Sequence, residues 1–209
     1  MKVLVVPTGV ANLASIRAGF LRAGAEVEVT HDADLVRRAP AVVLPGVGAF
    51  GAGRAALDGL GLVDALRERI AADRPLFAVC LGMQLLAVGS DETPEARGLG
   101  VLDAHVGRFP DTVKVPQLGW NRVVAHPGSR YVTNGYAYFA NSYRIADEPA
   151  GFAASMADHG GPFCAALERG ALLACQFHPE LSGAWGLDLM RRWLGAAMGA
   201  TAGATTEAG

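Results

Sequence analysis

With 209 residues, 51% of them hydrophobic, the chain can fill one α/β domain and is short for two. Eighteen basic against 20 acidic side chains, with no long basic run, leave no electrostatic ground for binding nucleic acid. Apolar stretches broken well before about 18 residues, a start (MKVLVVPTGV) too short for a secretory leader, and three cysteines without disulfide spacing predict a soluble, cytoplasmic protein with free thiols.

Lys2 to Val6 reads as a buried strand, and Asn12 opens a helix with Leu13, Ile16, Phe20 and Leu21 on one face. A strand at Glu26 to Thr30 and a short helix at Asp34 to Arg38 follow. Ala41 to Leu44 is a third strand, ending in Pro45 and a glycine-rich loop, and Leu62, Val63, Leu66 and Ile70 mark another amphipathic helix. This alternation predicts a mostly parallel sheet covered by helices on both faces, with ligands at the carboxyl ends of its strands.

The apolar run Leu76 to Val79 then meets Cys80, and a helical pattern (Leu81, Leu85, Leu86) begins at once. A thiol on a strand-to-helix elbow needs small neighbours, which Ala78 and Gly82 supply, and it faces the first amides of a helix, which favour a thiolate and an oxyanion. A free cysteine is also a common small core residue, so the elbow by itself leaves both readings open.

From about Val101 the pieces become short and strand-like (HVGRF, WNRVV, YAYFA, GFAASM, FCAALE, ALLACQF), which predicts an antiparallel extension of the same sheet. Trp185, Leu189, Trp193 and Leu194 form a closing helix. One domain, residues 1–198, is expected, with 199–209 as a flexible tail.

After the apolar segment Leu172 to Phe177 come His178 and Glu180. In extended chain, residues two apart share a side, so Glu180 can fix one imidazole tautomer and leave the other ring nitrogen free for a nucleophile. An isolated His-x-Glu is more often a polar turn; its place at a second strand end, at residue 178 against residue 80, favours a Cys–His–Glu relay. The other histidines are scattered and no CxxC or HxxxH spacing occurs, so neither a metal nor a cofactor is expected. Gly46, Gly48 and Gly51 fit GxGxxG, with Asp64 near the place of a ribose-binding acid, a weak dinucleotide signal on the third strand instead of the first. Glycines around Val47 equally suit a peptide that turns its amide toward an oxyanion.

Together these stretches resemble the triad (class I) glutamine amidotransferases, from Lys2 to about Leu194, on the motifs CLGMQ (Cys80 to Gln84) and FHPE (Phe177 to Glu180). LPGVGAF (Leu44 to Phe50), VPQLGWN (Val115 to Asn121) and YFANSY (Tyr138 to Tyr143) resemble more narrowly the branch that serves histidine biosynthesis. The resemblance implies a mixed, mostly parallel sheet flanked by helices, with Cys80 as nucleophile, His178 as general base and acid, and Glu180 as its orienter. It implies an oxyanion hole of the Val47 and Leu81 amides, and glutamine held by Gly46, Gly48, Gln84, Ser142 and Tyr143. A partner surface at Asn12, Trp120, Asn121 and Tyr138 would meet a separate (β/α)8 cyclase that receives ammonia, the Val47 amide turning inward only when that partner is loaded. Gln117 and Asn141 stand where the family usually has His, and the first loop, PTGVAN, has less glycine than usual. A dinucleotide-dependent oxidoreductase would leave Cys80, His178 and Glu180 idle; a non-catalytic binding module would keep the fold without the thioester; another glutaminase, such as that of pyridoxal phosphate synthase, would keep the triad with a different acceptor.

Overall fold

The computed structural model describes residues 1–8 and 13–206, with side chains to residue 199. The first half runs β1 (Lys2–Val5), α1 (Leu13–Arg22), β2 (Glu26–Val29), α2 (Ala33–Arg38), β3 (Val42–Leu44), α3 (Phe50–Gly59), α4 (Val63–Ala71), β4 (Leu76–Val79) and a single turn, α5 (Leu81–Gln84). The second half runs β5 (Gly89–Ser90), β6 (His105–Arg108), β7 (Gln117–Val123), β8 (Gly135–Asn141), β9 (Tyr143–Ile145), β10 (Ala153–Asp158), β11 (Pro162–Arg169), β12 (Leu172–Cys175), a 3₁₀ turn (Pro179–Leu181) and α6 (Gly183–Thr206).

Seven strands form one sheet in the order β10-β11-β12-β4-β3-β1-β2. Five of them, from β12 to β2, are mutually parallel, and β11 pairs antiparallel with both β12 and β10. Every residue of β3, β4 and β12 is buried, as expected of central strands covered on both faces. Alternate residues serve opposite cores. Val3, Val5, Val43 and Phe77 meet Ile16 and Phe20 of α1 and Leu189 and Trp193 of α6. Leu4, Val42, Leu44 and Leu76 meet Val36, Leu57, Leu66 and Leu81 of the helices on the other face. Phe20, Phe77 and Trp193 interlock with ring centroids 5.3 to 6.0 Å apart, each such ring contributing about 2 to 3 kcal/mol through burial.

The structure departs from the expected extension in its connectivity. Of the six late segments, only β10 and β11 extend the sheet antiparallel. ALLACQF supplies β12, which lies parallel to β4 in the middle of the sheet, with Cys175 beside Val79. HVGRF supplies β6 of a small sheet β5-β6-β9, while WNRVV and YAYFA lie in a separate β7-β8 ribbon. An apolar strand looks the same in sequence whichever way its neighbour runs, so the pattern alone could not choose. The closing helix carries regular backbone to Thr206, past residue 198, although its last residues (GATAGATT) include two glycines and three threonines of low helix propensity.

The glycine loop also holds more structure than its composition suggests: α3 begins inside it. Two side chains from distant sequence satisfy its opening amides, Glu92 accepting from Phe50 N at 2.7 Å and Thr93 Oγ1 from Gly51 N at 3.2 Å. A side chain at Gly51 would collide with Thr93, so the third glycine of the apparent dinucleotide signature serves helix packing here. Asp64 lies in the first turn of α4, paired with Arg67 at 3.6 Å.

Candidate active site

At the elbow Cys80 adopts φ 54°, ψ −112°, a backbone state that costs a non-glycine residue on the order of 1–3 kcal/mol. Neighbouring contacts hold it there. Its amide donates to Cys175 O at 2.7 Å, and its carbonyl accepts from Gln84 N at 3.2 Å. Gly82 is required sterically, since a Cβ there would lie 1.9 Å from the Leu44 carbonyl oxygen. The sequence expectation of a tight strand-to-helix turn with the sulfur at the carboxyl end of a strand is met by this geometry.

The parallel pairing of β12 with β4 delivers the next residues, Gln176 to His178, directly beside Cys80. His178 Nδ1 lies 2.9 Å from Glu180 Oε1, with side-chain exposures of 8% and 1%. The chain achieves this differently from the expected extended spacing. His178 is extended (φ −100°, ψ 96°), Pro179 starts a 3₁₀ turn, and the turn swings the carboxylate back to the ring. Burial works against an imidazolium here, but hydrogen bonds to Cys80 and Glu180, and their charges, outweigh it and raise His178 to about 10. The ring thus holds the carboxylate on its Nδ1 side and shares a cavity wall with the sulfur, an arrangement open to a nucleophile–base–orienter relay. Glu180 is packed from behind by α1, where a side chain on Gly19 would come within 2.9 Å of its Cβ.

In front of the relay opens a cavity of about 460 Å³ lined by Val47, Gly48, Cys80, Leu81, Gln84, Glu92, Ser142, Tyr143 and His178, among others. Six of the sequence-predicted residues (Val47, Gly48, Leu81, Gln84, Ser142 and Tyr143) thus line the cavity together with Cys80 and His178. Gly46 sits behind the elbow, and its carbonyl accepts from Leu81 N at 3.3 Å. The Leu81 amide, expected to face an oxyanion, is engaged with the loop by this long bond. Gly48 has φ +98° with open space where a Cβ would be. Asn141 also lines the cavity and lies opposite Gln117 in the ribbon; both are buried, and Gln117 Oε1 and Asn141 Oδ1 have no hydrogen-bond partner among the described residues.

Two polar residues at the site carry no motif signal strong enough to single them out. Glu92, a carboxylate in the cavity wall, follows a turn after β5 and is read in sequence as an ordinary surface acid. Gln176, almost fully buried, donates from Nε2 to Cys80 Sγ at 3.6 Å. A glutamine in the middle of the apolar run ALLACQF is the one trace it leaves in the sequence.

The expected partner-facing residues gather on the ribbon, apart from Asn12, which lies outside the described residues. Trp120 is 58% exposed and stacks edge-on with Tyr138 at 6.3 Å. Leu118 and Tyr136 are exposed beside them, and Asn121 Nδ2 donates to Asp158 O at 2.8 Å. Ribbon and relay are joined, because His178 N donates to Tyr138 O at 2.8 Å and Tyr138 N donates to Ser182 Oγ at 3.0 Å.

A family model described as "Glutamine amidotransferase class-I" matches residues 4–193. A Symbiobacterium thermophilum protein named imidazole glycerol phosphate synthase subunit HisH is 41% identical over 196 residues, covering 92% of each chain. The Halobacterium salinarum protein of the same name is 39% identical over 203 residues, again covering 92% of both. Among solved structures, one titled as a glutamine amidotransferase matches with a TM-score of 0.75 at 22% identity, over 93% of this chain and 98% of that one. PurLQS from Thermotoga maritima matches at 0.73 with 14% identity over 93% and 98%. At such identities these two likenesses speak for the fold.

Proposed function

The chain belongs to the class I glutamine amidotransferases, and from that premise we propose that the cavity at Cys80 hydrolyses glutamine as the glutaminase subunit of imidazole glycerol phosphate synthase, in histidine biosynthesis. The observation that carries this reading is that His178 lines one cavity with Cys80 while its Nδ1 is bonded to Glu180 at 2.9 Å.

Chemistry follows from the relay. The Cys80 thiolate attacks the side-chain carbonyl carbon of glutamine, and the electron pair of the C=O bond moves onto oxygen. The Val47 and Leu81 amides receive that oxyanion once the Leu81–Gly46 bond has opened. Collapse of the adduct expels ammonia with the proton that His178 had held, leaving a thioester on sulfur. The neutral ring then takes a proton from water, which attacks the thioester carbonyl and frees glutamate. Glu180 keeps the ring in one tautomer through both steps. Glutamine itself is held at its ammonium by Glu92 and at its carboxylate by the backbone around Ser142 and Tyr143, with Gln84 and Gly48 completing the pocket and Gly46 setting its floor. None of these steps calls for a metal or a cofactor.

Ammonia released into water would be protonated and lose its nucleophilicity, so the site must open toward an acceptor. Its neighbour is the ribbon, with Trp120, Tyr138 and Asn121; Asn12, outside the described residues, is proposed for the same partner surface. That face would seat a cytoplasmic cyclase subunit with a (β/α)8 barrel, which uses the ammonia to form imidazole glycerol phosphate and an aminoimidazole carboxamide ribotide. Among the described residues no helix is long and apolar enough to cross a membrane. Co-expression with such a cyclase and assay of glutamine-dependent product tests the proposal. We expect turnover that is lost by about 10⁴-fold or more in Cys80→Ala. Glutamine hydrolysis without cyclase product would point to another acceptor, such as a pyridoxal phosphate synthase; absence of hydrolysis would refute the reading.

A further inference from the structure

Gln176 is almost fully buried at the end of β12, bonded through its own amide to Ala165 O at 2.8 Å. Its side chain joins two residues of the site: Nε2 donates to Cys80 Sγ at 3.6 Å, and Oε1 accepts from Gln84 Nε2 at 2.9 Å. The two ends of a carboxamide have the same shape, so which end faces sulfur must be decided by the network. A backbone carbonyl decides it. Gln84 Nε2 also donates to Tyr143 O at 3.3 Å, and a carbonyl can only accept. Gln84 must therefore turn its NH₂ toward Tyr143 and Gln176, so Gln176 must offer oxygen to Gln84, and its NH₂ is left pointing at the sulfur.

We propose that Gln176 is a fixed hydrogen-bond donor to the nucleophile, polarised toward Cys80 by a relay that starts at the Tyr143 carbonyl and passes through Gln84. The donor favours the charged over the neutral sulfur, and it ties the sulfur's protonation to Gln84, a wall of the glutamine pocket. This role rests on Cys80 being the nucleophile, although the labelling arm of its test needs no glutamine turnover. The titratable groups around the sulfur are His178 with Glu180 behind it, the Cys175 thiol on the neighbouring strand, and Glu92 and Tyr143 on the cavity walls. Burial pushes the Cys175 thiol well above its ordinary range and Cys164 up to about 12, so below pH 10 an alkylating probe reads Cys80.

The experiment is the pH dependence of iodoacetamide labelling of Cys80, followed by peptide mass spectrometry, in the full chain and in Gln176→Met and Gln176→Glu. Methionine keeps the bulk without the donor, and the midpoint of the acid limb should rise by about one pH unit, the size expected for one lost charge-assisted bond. Glutamate adds a negative charge facing the sulfur and should raise the midpoint further. KM for glutamine should separate the variants the other way. Glutamate still accepts from Gln84 and keeps KM close to wild type, whereas methionine releases Gln84 and raises KM about tenfold, the worth of one buried hydrogen bond. Residue 176 acting only as packing would leave the methionine midpoint at the wild-type value, since methionine keeps the bulk, and that result overturns the proposal. Should neither variant fold, Gln84→Met unpins Gln176 without touching β12; a raised midpoint there supports the relay and an unmoved one refutes it. Midpoints that shift in a chain without glutaminase activity would sink the proposed function and leave the donor standing.

Discussion

The two halves of the catalytic cavity are held in opposite ways. On one side β4 and β12 lie hydrogen-bonded in parallel, and Cys80, His178 and Glu180 are fixed by short bonds, a proline-led turn and close packing from α1. On the other, the segment leaving β3 reaches the elbow through a single 3.3 Å amide bond from Leu81 to Gly46, and Gly48 has open space around it. The Cys80, His178 and Glu180 side is built in advance, whereas the loop proposed to supply an oxyanion donor is held by fewer contacts at the elbow. Such a division suits an enzyme that should hold glutamine without wasting it, because the reactive sulfur can be ready while the stabilisation of its adduct waits.

Substitutions on the fixed side should be the more damaging. Gly82→Ala forces a methyl group against the Leu44 carbonyl; we expect a loss of about 3 kcal/mol in urea unfolding, from the overpacking of two buried segments. A variant as stable as wild type would show that the elbow is looser than its contacts imply. Next comes the His178–Glu180 pair. Because His178 is raised in the folded state to about 10, the stability it confers is complete below its ordinary value of 6.5 and is lost as pH climbs toward 10. The melting temperature of wild type should fall across that window. In Glu180→Gln the fall should be shallower and kcat about a hundredfold lower, since the ring loses both a stabilising charge and its fixed tautomer. Equal slopes would mean that the carboxylate does not support the imidazolium. The smallest effect is expected on the loop side, where Gly48→Ala costs about 1 kcal/mol through the unfavourable positive φ and meets no steric obstacle. Its sharper readout is glutaminase rate with and without the cyclase; a change confined to one of these conditions separates the loop from the relay.

The same contrast explains what the sequence discloses. A cysteine ending an apolar run, with glycine two residues on, left core residue and nucleophile both open, but the elbow itself was legible because its constraints are local. His178 and Glu180 were legible as a pair, but the 3₁₀ turn that joins them was not, since the ring–carboxylate contact needs Pro179 to bend the chain where an extended spacing looked sufficient. The start of α3 was hidden by glycines of low helix propensity, its order coming from Glu92 and Thr93 more than 40 residues away. Strand direction failed for a similar reason. ALLACQF is apolar at nearly every position, and such a segment carries no mark of which neighbour it will take or in which sense. Gln176 and Glu92 each act through partners distant in the chain, and single polar residues outside a motif do not announce that.

One peptide group connects the base to the surface: the His178 N–H rests on the carbonyl of Tyr138, in the ribbon whose outer face bears Trp120. Its proton is sheltered as long as the ribbon stays seated and becomes exchangeable with deuterium whenever it lifts. Deuterium exchange at this one amide would therefore act as a clock, marking how often the outer hairpin comes loose from the loop beneath it.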